Sequence, residues 1–292
     1  MKTWEELTIS DNFIFQNVME DPAICKEFLE KLLSITIKNI AYVDLEKIFD
    51  VGIESKGIRL DVYVEDDKNT VYDIEMQTTN SPADSLPKRT LYYQSLIVAN
   101  QIKKGQDYQD LKKTFIIFVC TFDPFGEGRR IYNFKNLCLE SRDLELANGS
   151  TTIFLNAKGI NGDVHKDIKY LLELINGKKA QGDFTKRIET RVDEVKNNDK
   201  MKVSYMSWYA EEMRIKRLAQ IEGREEGLKE GRAEGRAEGL SEGRSEGKLD
   251  MIKNLLSVKT PIEFIVKASG WTKEKILEIA QSENIAYEKK LK

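Results

Sequence analysis

Histidine is almost absent from this chain, which carries a single one, His165, among its 292 residues. One imidazole cannot build a metal centre that needs several histidines, and a Ser–His–Asp or Cys–His hydrolase would depend entirely on this residue. His165 directly precedes the amphipathic stretch "KDIKYLLELI", which indicates a position at a helix start or on the surface. Carboxylates must therefore carry any hydrolytic chemistry of this chain.

Cysteines and long apolar runs are also scarce. The three cysteines, Cys25, Cys120 and Cys138, lie in apolar surroundings without a CxxC pair, which is typical of reduced thiols in a cytoplasmic protein. No apolar run is long enough to span a bilayer, and the opening "MKTWEELTISDNFIF" lacks the basic head and apolar stretch of a secretory signal. We therefore expect a cytoplasmic protein without a membrane segment.

Positive charge is not in excess, since 46 Lys and Arg residues face 49 Asp and Glu residues and the net charge is −3. This balance excludes a basic nucleic-acid coat protein. It still allows a nucleic-acid enzyme, because a local basic patch or a bound metal ion offsets an acidic average. The apolar share of 40% and the charged share of 33% predict one sizeable core together with long exposed helices.

Residues 1–182 predict a mixed α/β domain in which helices flank a central sheet. The predicted strands are "IAYVDLEKIF", "IRLDVYVED", "TVYDIEMQT", "KTFIIFVCTF", "RIYNFKNLCLE" and "STTIFLN". The predicted helices include "DPAICKEFLEKLLS", "SLPKRTLYYQSLIVANQIKKG" and "DVHKDIKYLLELING". The run "KTFIIFVCTF" is continuously apolar, which favours a central strand covered on both faces.

Residues 183–248 form a charged, helix-patterned segment that ends in an internal repeat. Glycine recurs every four residues from Gly223 to Gly247, each time after a glutamate. Each interior glycine costs a helix about 1 kcal/mol relative to alanine, and the glutamates stand in a like-charge i,i+4 arrangement. We predict a solvated, partly helical spacer. The alternative is a helix whose glycine stripe packs against a second chain.

Residues 249–292 regain a compact helical pattern and are predicted to form a small C-terminal module. Short apolar helices flank the turn "ASGW", and Thr272 is positioned to cap the last of them. Two short helices around a glycine turn are typical of a helix-turn-helix and equally of a small packing module.

The stretch "RLDVYVEDDKNTVYDIEMQTTN", residues 59–80, predicts a hairpin with an acidic face. Strand alternation puts Leu60, Val62 and Val64 on one face of its first strand and Arg59, Asp61 and Tyr63 on the other.

On the second strand, alternation places Asp73, Glu75 and Gln77 opposite an apolar face. If the hairpin pairs in register, Asp61 and Glu75 come within reach of one hard cation. The alternative is a solvated sheet face, and Asp73 in particular is compatible with a solvent edge.

An aspartate on one strand followed by Glu-x-Lys on the next is the signature of the PD-(D/E)XK nucleases, and this chain has Asp61 and then Glu75-x-Gln77. Two further blocks, "ISDNFIFQNVMEDPAICKEFLEKLL" and "KRTLYYQSLI", and the glutamate–glycine tail accompany it. From about residue 8 to 180 the sequence resembles the PD-(D/E)XK nuclease family transposases, or recombination-promoting nucleases. The resemblance implies a restriction-endonuclease-like α/β core with a helical C-terminal extension.

The resemblance also implies a Mg²⁺-dependent DNA endonuclease associated with recombination or mobile DNA. Asp61, Glu75 and the backbone carbonyl of Met76 are then the ligands of Mg²⁺, or of Mn²⁺ or Ca²⁺. Gln77 carries neither a proton nor a charge and is expected to orient water or a phosphate oxygen by hydrogen bonding. The implied partners are DNA and a second copy of the chain in a homodimer.

Three further positions are expected to line the DNA site by the same resemblance: Asp11, Arg89 and Tyr93. For Asp11 the favoured alternative is capping of the first helix, and for Tyr93 the alternative is core packing. The missing lysine leaves a second function open, a catalytically weak DNA-binding or self-assembling protein on the same fold.

Overall fold

A mixed six-stranded sheet organises the first part of the chain in the order β1-β2-β3-β4-β6-β5. The computed structural model describes residues 2–49, 57–81 and 85–285. The strands are β1 (Ile40–Phe49), β2 (Ile58–Asp66), β3 (Val71–Gln77), β4 (Thr114–Cys120), β5 (Ile131–Phe134) and β6 (Ser150–Asn156). β3, β4 and β6 run parallel, and the other neighbouring pairs are antiparallel. The predicted mixed α/β fold is confirmed.

Eight α-helices lie in the described part of the chain, and side-chain caps mark the start of several of them. They are α1 (Asn12–Met19), α2 (Pro22–Leu33), α3 (Leu86–Ala99), α4 (Lys166–Ile175), α5 (Gly182–Lys196), α6 (Asp199–Ser257), α7 (Ile262–Ser269) and α8 (Lys273–Ser282). Asp21 caps α2 by accepting hydrogen bonds from the amides of Ala23 and Ile24. His165 caps α4, as its sequence position predicts, because its Nδ1 accepts from the Asp167 amide at 3.3 Å.

Two predicted elements are shorter than expected. The helix predicted to run to Gly105 ends at Ala99, because the Gln101 side chain bonds Thr114 and the Lys112 amide and draws the chain away from the helix axis. The strand predicted over 130–140 ends at Phe134, the last residue paired with β6.

The core lies on both faces of the sheet. Phe118 and Val119 of β4 are fully buried, as expected for a central strand with cover on each side. All seven residues of β3 are buried. Any polar side chain that β3 projects toward a helix layer is thus withdrawn from bulk water.

The chain divides into two compact units, Met1–Trp208 and Tyr209–Lys292. The first unit includes the sheet, α1–α5 and the start of α6. There, Tyr205 and Trp208 pack against Phe13, with ring centroids 5.3 and 5.8 Å away, and Trp4 adds a third aromatic neighbour to Tyr205. Tyr205 and Trp208 are thus part of the first unit's packing.

The glycine repeat is helical throughout, so the prediction of a partly helical spacer is wrong in that respect. α6 includes all the repeat glycines between Gly223 and Gly247, and the repeat is solvent-exposed as expected. Three of every four positions are non-glycine and are mostly strong helix formers such as Glu, Arg, Ala and Leu, which offsets the glycine cost. No heavy atom within 4 Å would meet a Cβ added at any of these glycines.

In the second unit, the end of α6, α7 and α8 surround a small apolar core. Its buried members are Ile252, Leu256, Ile262, Ile265, Ile276 and Ala280. Gly270 has φ +70° and ends α7, and the Thr272 hydroxyl caps α8 by accepting from the Lys275 amide at 3.4 Å. No helix among the described residues has both the length and the apolar composition that a bilayer crossing requires.

Candidate active site

The regular pairing of β2 with β3 ends at Val62 and Ile74. Beyond this pair, backbone amides of the two strands donate to side-chain carboxylates instead of to backbone carbonyls. The Asp61 amide donates to Glu75 Oε1 at 2.8 Å, and the Met76 amide donates to Asp61 Oδ2 at 3.0 Å. Backbone groups that would otherwise bond strand to strand therefore bond the two predicted acids. This exchange holds Asp61 and Glu75 side by side.

Strict alternation also breaks near Asp61. Leu60 and Tyr63 belong to the same apolar cluster, although the sequence pattern places them on opposite faces. Glu46, which stands opposite Asp61 between two regular pairs of β1 with β2, has φ +59°. The predicted separation of Leu60 from Tyr63 is therefore wrong, because the backbone is irregular where Asp61 lies.

Helix α1 supplies a contact that sequence reasoning missed. Gln16 Nε2 donates to Asp61 Oδ1 at 2.9 Å, and the Gln16 residue is only 4% exposed. A polar side chain in the apolar stretch "NFIFQNVM" is the signal that could have identified it. Both Asp61 oxygens are thus held by donors from the protein.

Arg89 of α3 connects the acids to Gln77 and Tyr93. Its Nη2 lies 3.4 Å from Glu75 Oε2, and its Nη1 donates to Gln77 Oε1 at 3.1 Å. The guanidinium lies 5.3 Å from the centre of the Tyr93 ring and donates to the Tyr93 hydroxyl at 3.3 Å. The arginine side chain is 25% exposed, so it reaches solvent while contacting buried partners.

Gln77 and Tyr93 each have a structural task beside Arg89. Gln77 Nε2 donates to the Thr79 carbonyl at 2.8 Å, so both ends of its amide have partners in the protein. Tyr93 packs against both apolar clusters that cover this side of the sheet. Core packing of Tyr93 is thus confirmed, and its hydroxyl also contacts Arg89, while its place in a DNA site stays a prediction.

Asp73 is fully buried, and no N–H or hydroxyl group among the described residues donates to its carboxylate. It stands opposite Tyr63 on β2 and Ile116 on β4, inside the sheet. The solvent-edge alternative for this residue is therefore wrong. The reason is that β3 is an inner strand, whose polar face is covered.

Burial shifts the proton affinity of all three acids in the same direction. It raises the pKa of Asp61 to about 6, against hydrogen bonds from Met76 and Gln16 that lower it. The pKa of Glu75 is raised well above its ordinary value by burial and then by the charges of Asp61 and Asp73. The pKa of Asp73 is raised well above its ordinary value by burial and by the charge of Asp61, while a hydrogen bond with Glu75 and the charge of Arg89 oppose the increase.

Asp11 is not brought to these acids. It occupies the N-cap position of α1, but its carboxylate does not bond the helix amides, so the expected cap is absent. Instead it accepts from Lys2 Nζ at 2.7 Å and from the Thr8 amide at 2.9 Å. Lys2 and the Thr8 amide therefore occupy the Asp11 carboxylate oxygens that would otherwise accept from the amides of α1.

The donor chemistry of Asp61, Asp73 and Glu75 fits a hard divalent cation, which prefers carboxylate oxygens. The orphaned, buried carboxylate of Asp73 is the observation that supports this fit. Within the described ranges, no three Asp, Glu, His or Cys side chains already converge as a metal cage. Hydrogen bonds from Gln16, Met76 and the Asp61 amide occupy oxygens of two of the acids.

Comparison with known proteins identifies the family of the chain. Searches of curated proteins and of solved structures found no match. The family described as PD-(D/E)XK nuclease family transposase matches residues 13–216, which is well over half of the chain and includes every site residue described above except Asp11. The chain therefore belongs to the PD-(D/E)XK nuclease family transposases.

Proposed function

We propose that the protein is a divalent-cation-dependent endonuclease that hydrolyses phosphodiester bonds of DNA during recombination or at mobile DNA. The observation that carries this proposal is the reciprocal bonding of Asp61 and Glu75 beside Arg89. It joins two carboxylates and a cationic group on neighbouring elements within the family region. Carboxylates that hold a metal ion and an arginine that binds phosphate are the groups this reaction needs.

Asp61, Glu75 and the Met76 carbonyl are the proposed holders of Mg²⁺ or Mn²⁺. Bound there, the ion supplies a water of lowered pKa and polarises a phosphate oxygen. The chain's own contribution is orientation. Gln16 and the Met76 amide fix the Asp61 carboxylate, and the Asp61 amide fixes that of Glu75.

Arg89 is the proposed phosphate contact. Its partial exposure lets the guanidinium reach a ligand, and its fork of donors suits two phosphate oxygens. Gln77 and Tyr93 hold this side chain from two directions. In this arrangement Gln77 positions Arg89, and orientation of the attacking water by Gln77 requires the amide to exchange a partner.

A second candidate is a DNA-binding protein of weak catalytic power. The observation that favours it is the full engagement of the Gln77 amide, which leaves no lysine-like group for the attacking water. On this alternative the same residues bind DNA and cleave it slowly.

Supercoiled plasmid nicking with the full chain tests the proposal. Wild type with Mg²⁺ or Mn²⁺ is expected to nick the plasmid, and Asp61→Asn and Glu75→Gln are expected to slow nicking at least about a hundredfold, because each removes a charged ligand of the reacting centre. Asp44→Asn is the matched control, because Asp44 lies on β1 and pairs with Lys47.

Two results would count against the proposal. Nicking that persists in both acid variants would show that these carboxylates are not the catalytic pair. DNA binding by wild type without cleavage under Mg²⁺, Mn²⁺ or Ca²⁺ would select the weakly catalytic alternative.

A further inference from the structure

We infer that Asp73 is a third carboxylate ligand of the divalent cation at this site. The inference rests on the proposed function and deepens it, because it adds a ligand to the Asp61 and Glu75 pair. The family signature places carboxylate ligands only at Asp61 and Glu75, so this residue lies outside it.

The contrast between two buried aspartates supports the inference. Asp66 is 3% exposed, and its carboxylate accepts from the Tyr72 hydroxyl at 2.9 Å and from the amides of Lys68 and Thr70. Asp73 is 0% exposed, and among the described residues its one hydrogen-bonding neighbour is the Glu75 carboxyl group, which donates only when it is protonated. A buried polar group without a partner is strongly unfavourable, and folded proteins rarely tolerate one.

Protonation alone does not remove the unfavourable free energy of burying the Asp73 carboxyl group. A neutral Asp73 can share its proton with the neighbouring Glu75 carboxyl group, but this leaves its second oxygen without a donor. An apolar side chain among Tyr63 and Ile116 would fill the same place without that penalty. A ligand that binds the carboxylate directly removes the problem.

The local charge also favours a cation. Asp61, Asp73 and Glu75 can carry three negative charges, and the positive charges that act on Asp61 are those of Arg89 and Arg59. The ionised acids therefore leave net negative charge at a buried site, which a divalent cation offsets. Asp61 and Glu75 are held by amide or guanidinium donors, whereas no such donor among the described residues holds Asp73, so its carboxylate is the one most readily turned toward such an ion.

Mn²⁺ binding to the full chain, measured by the electron paramagnetic resonance of free Mn²⁺, tests the inference without any need for cleavage. Asp73→Asn is expected to raise the Kd for Mn²⁺ at least about tenfold. Asp66→Asn is the control matched for burial, and its Kd is expected to stay within about twofold of wild type. Asp73→Ala, which only removes atoms, gives a second variant if the asparagine variant does not fold.

The outcomes separate this inference from the proposed function. A Kd for Asp73→Asn or Asp73→Ala equal to that of wild type overturns the role of Asp73 and leaves the nuclease proposal standing. Wild type that binds no Mn²⁺ overturns both. Weakened Mn²⁺ binding in the Asp73 variants, in a protein that cleaves no DNA, supports the ligand and defeats the nuclease proposal.

Discussion

Asp61 and Glu75 are joined through a backbone group, because the Asp61 amide donates to Glu75 Oε1 at 2.8 Å. The Met76 amide returns a bond to Asp61 Oδ2 at 3.0 Å. Backbone donors move less than side chains, so the spacing of the two carboxylates is set by the strands themselves. The side-chain donors Gln16 and Arg89 then orient the two carboxylates. Unlike the backbone amides, these side chains can be tested by substitution.

Gln16 is predicted to position Asp61 without contacting substrate. Gln16→Met keeps the length and apolar stem of the side chain but removes the 2.9 Å bond to Asp61 Oδ1. We expect plasmid nicking to fall by about 10- to 100-fold, the usual effect of removing a group that orients a metal ligand. Rates measured across Mn²⁺ concentrations will show the loss in metal affinity as well as in turnover.

The control for Gln16 is Asn17→Leu on the same helix. Asn17 is also buried, at 7% exposed, but its side chain bonds the Phe13 carbonyl within α1. A general effect of disturbing α1 would slow both variants equally, and equal slowing would contradict a specific role for Gln16.

The stability of the metal-free protein is predicted to fall as pH rises through about 6. The folded state raises the pKa of Asp61 to about 6 by burial, so it binds a proton more tightly than the unfolded chain does. That stabilisation is complete at low pH and is lost as Asp61 ionises, with a slope of at most about 1.4 kcal/mol per pH unit for one proton. The raised pKa values of Asp73 and Glu75 extend the loss to higher pH.

Urea unfolding midpoints of the EDTA-treated full chain between pH 4 and 8 measure this effect. In Asp61→Asn the urea midpoint is expected to change less between pH 4 and pH 8, because the asparagine side chain does not ionise. Ca²⁺ is expected to restore stability at pH 8, since it binds the ionised folded protein. A midpoint for wild type that rises with pH in parallel with Asp61→Asn would contradict the prediction.

The hairpin and its acidic pair could be predicted from the sequence because both depend on local signals. The turn around "DKN" fixes the register, which places Asp61 and Glu75 one residue beyond the last regular pair, even though strict alternation breaks at that point. Gln16 depends on how α1 packs against the sheet, 45 residues away from Asp61 along the chain. No local pattern specifies such a contact.

The burial of Asp73 and the continuity of α6 were also beyond local signals. A polar residue on a strand suggests solvent, but β3 is an inner strand whose faces are both covered. Glycine every four residues suggests a weakened helix, whereas the remaining positions of the repeat favour one. In both cases the outcome depends on neighbours rather than on the residue itself.

The glycine repeat gives the final prediction. Gly231→Ala, Gly235→Ala and Gly239→Ala together should stabilise α6 by about 1 kcal/mol each, because alanine favours a helix and a Cβ at these sites meets no atom within 4 Å. Circular dichroism at 222 nm during heating of the full chain will report the gain as helix that persists to higher temperature. Light scattering on the same samples is expected to show an unchanged mass.

Loss of helix or a change of mass in this variant would contradict the prediction. Either result would show that the glycine face of α6 packs against a second chain, because only such a close partner would clash with the added methyl groups.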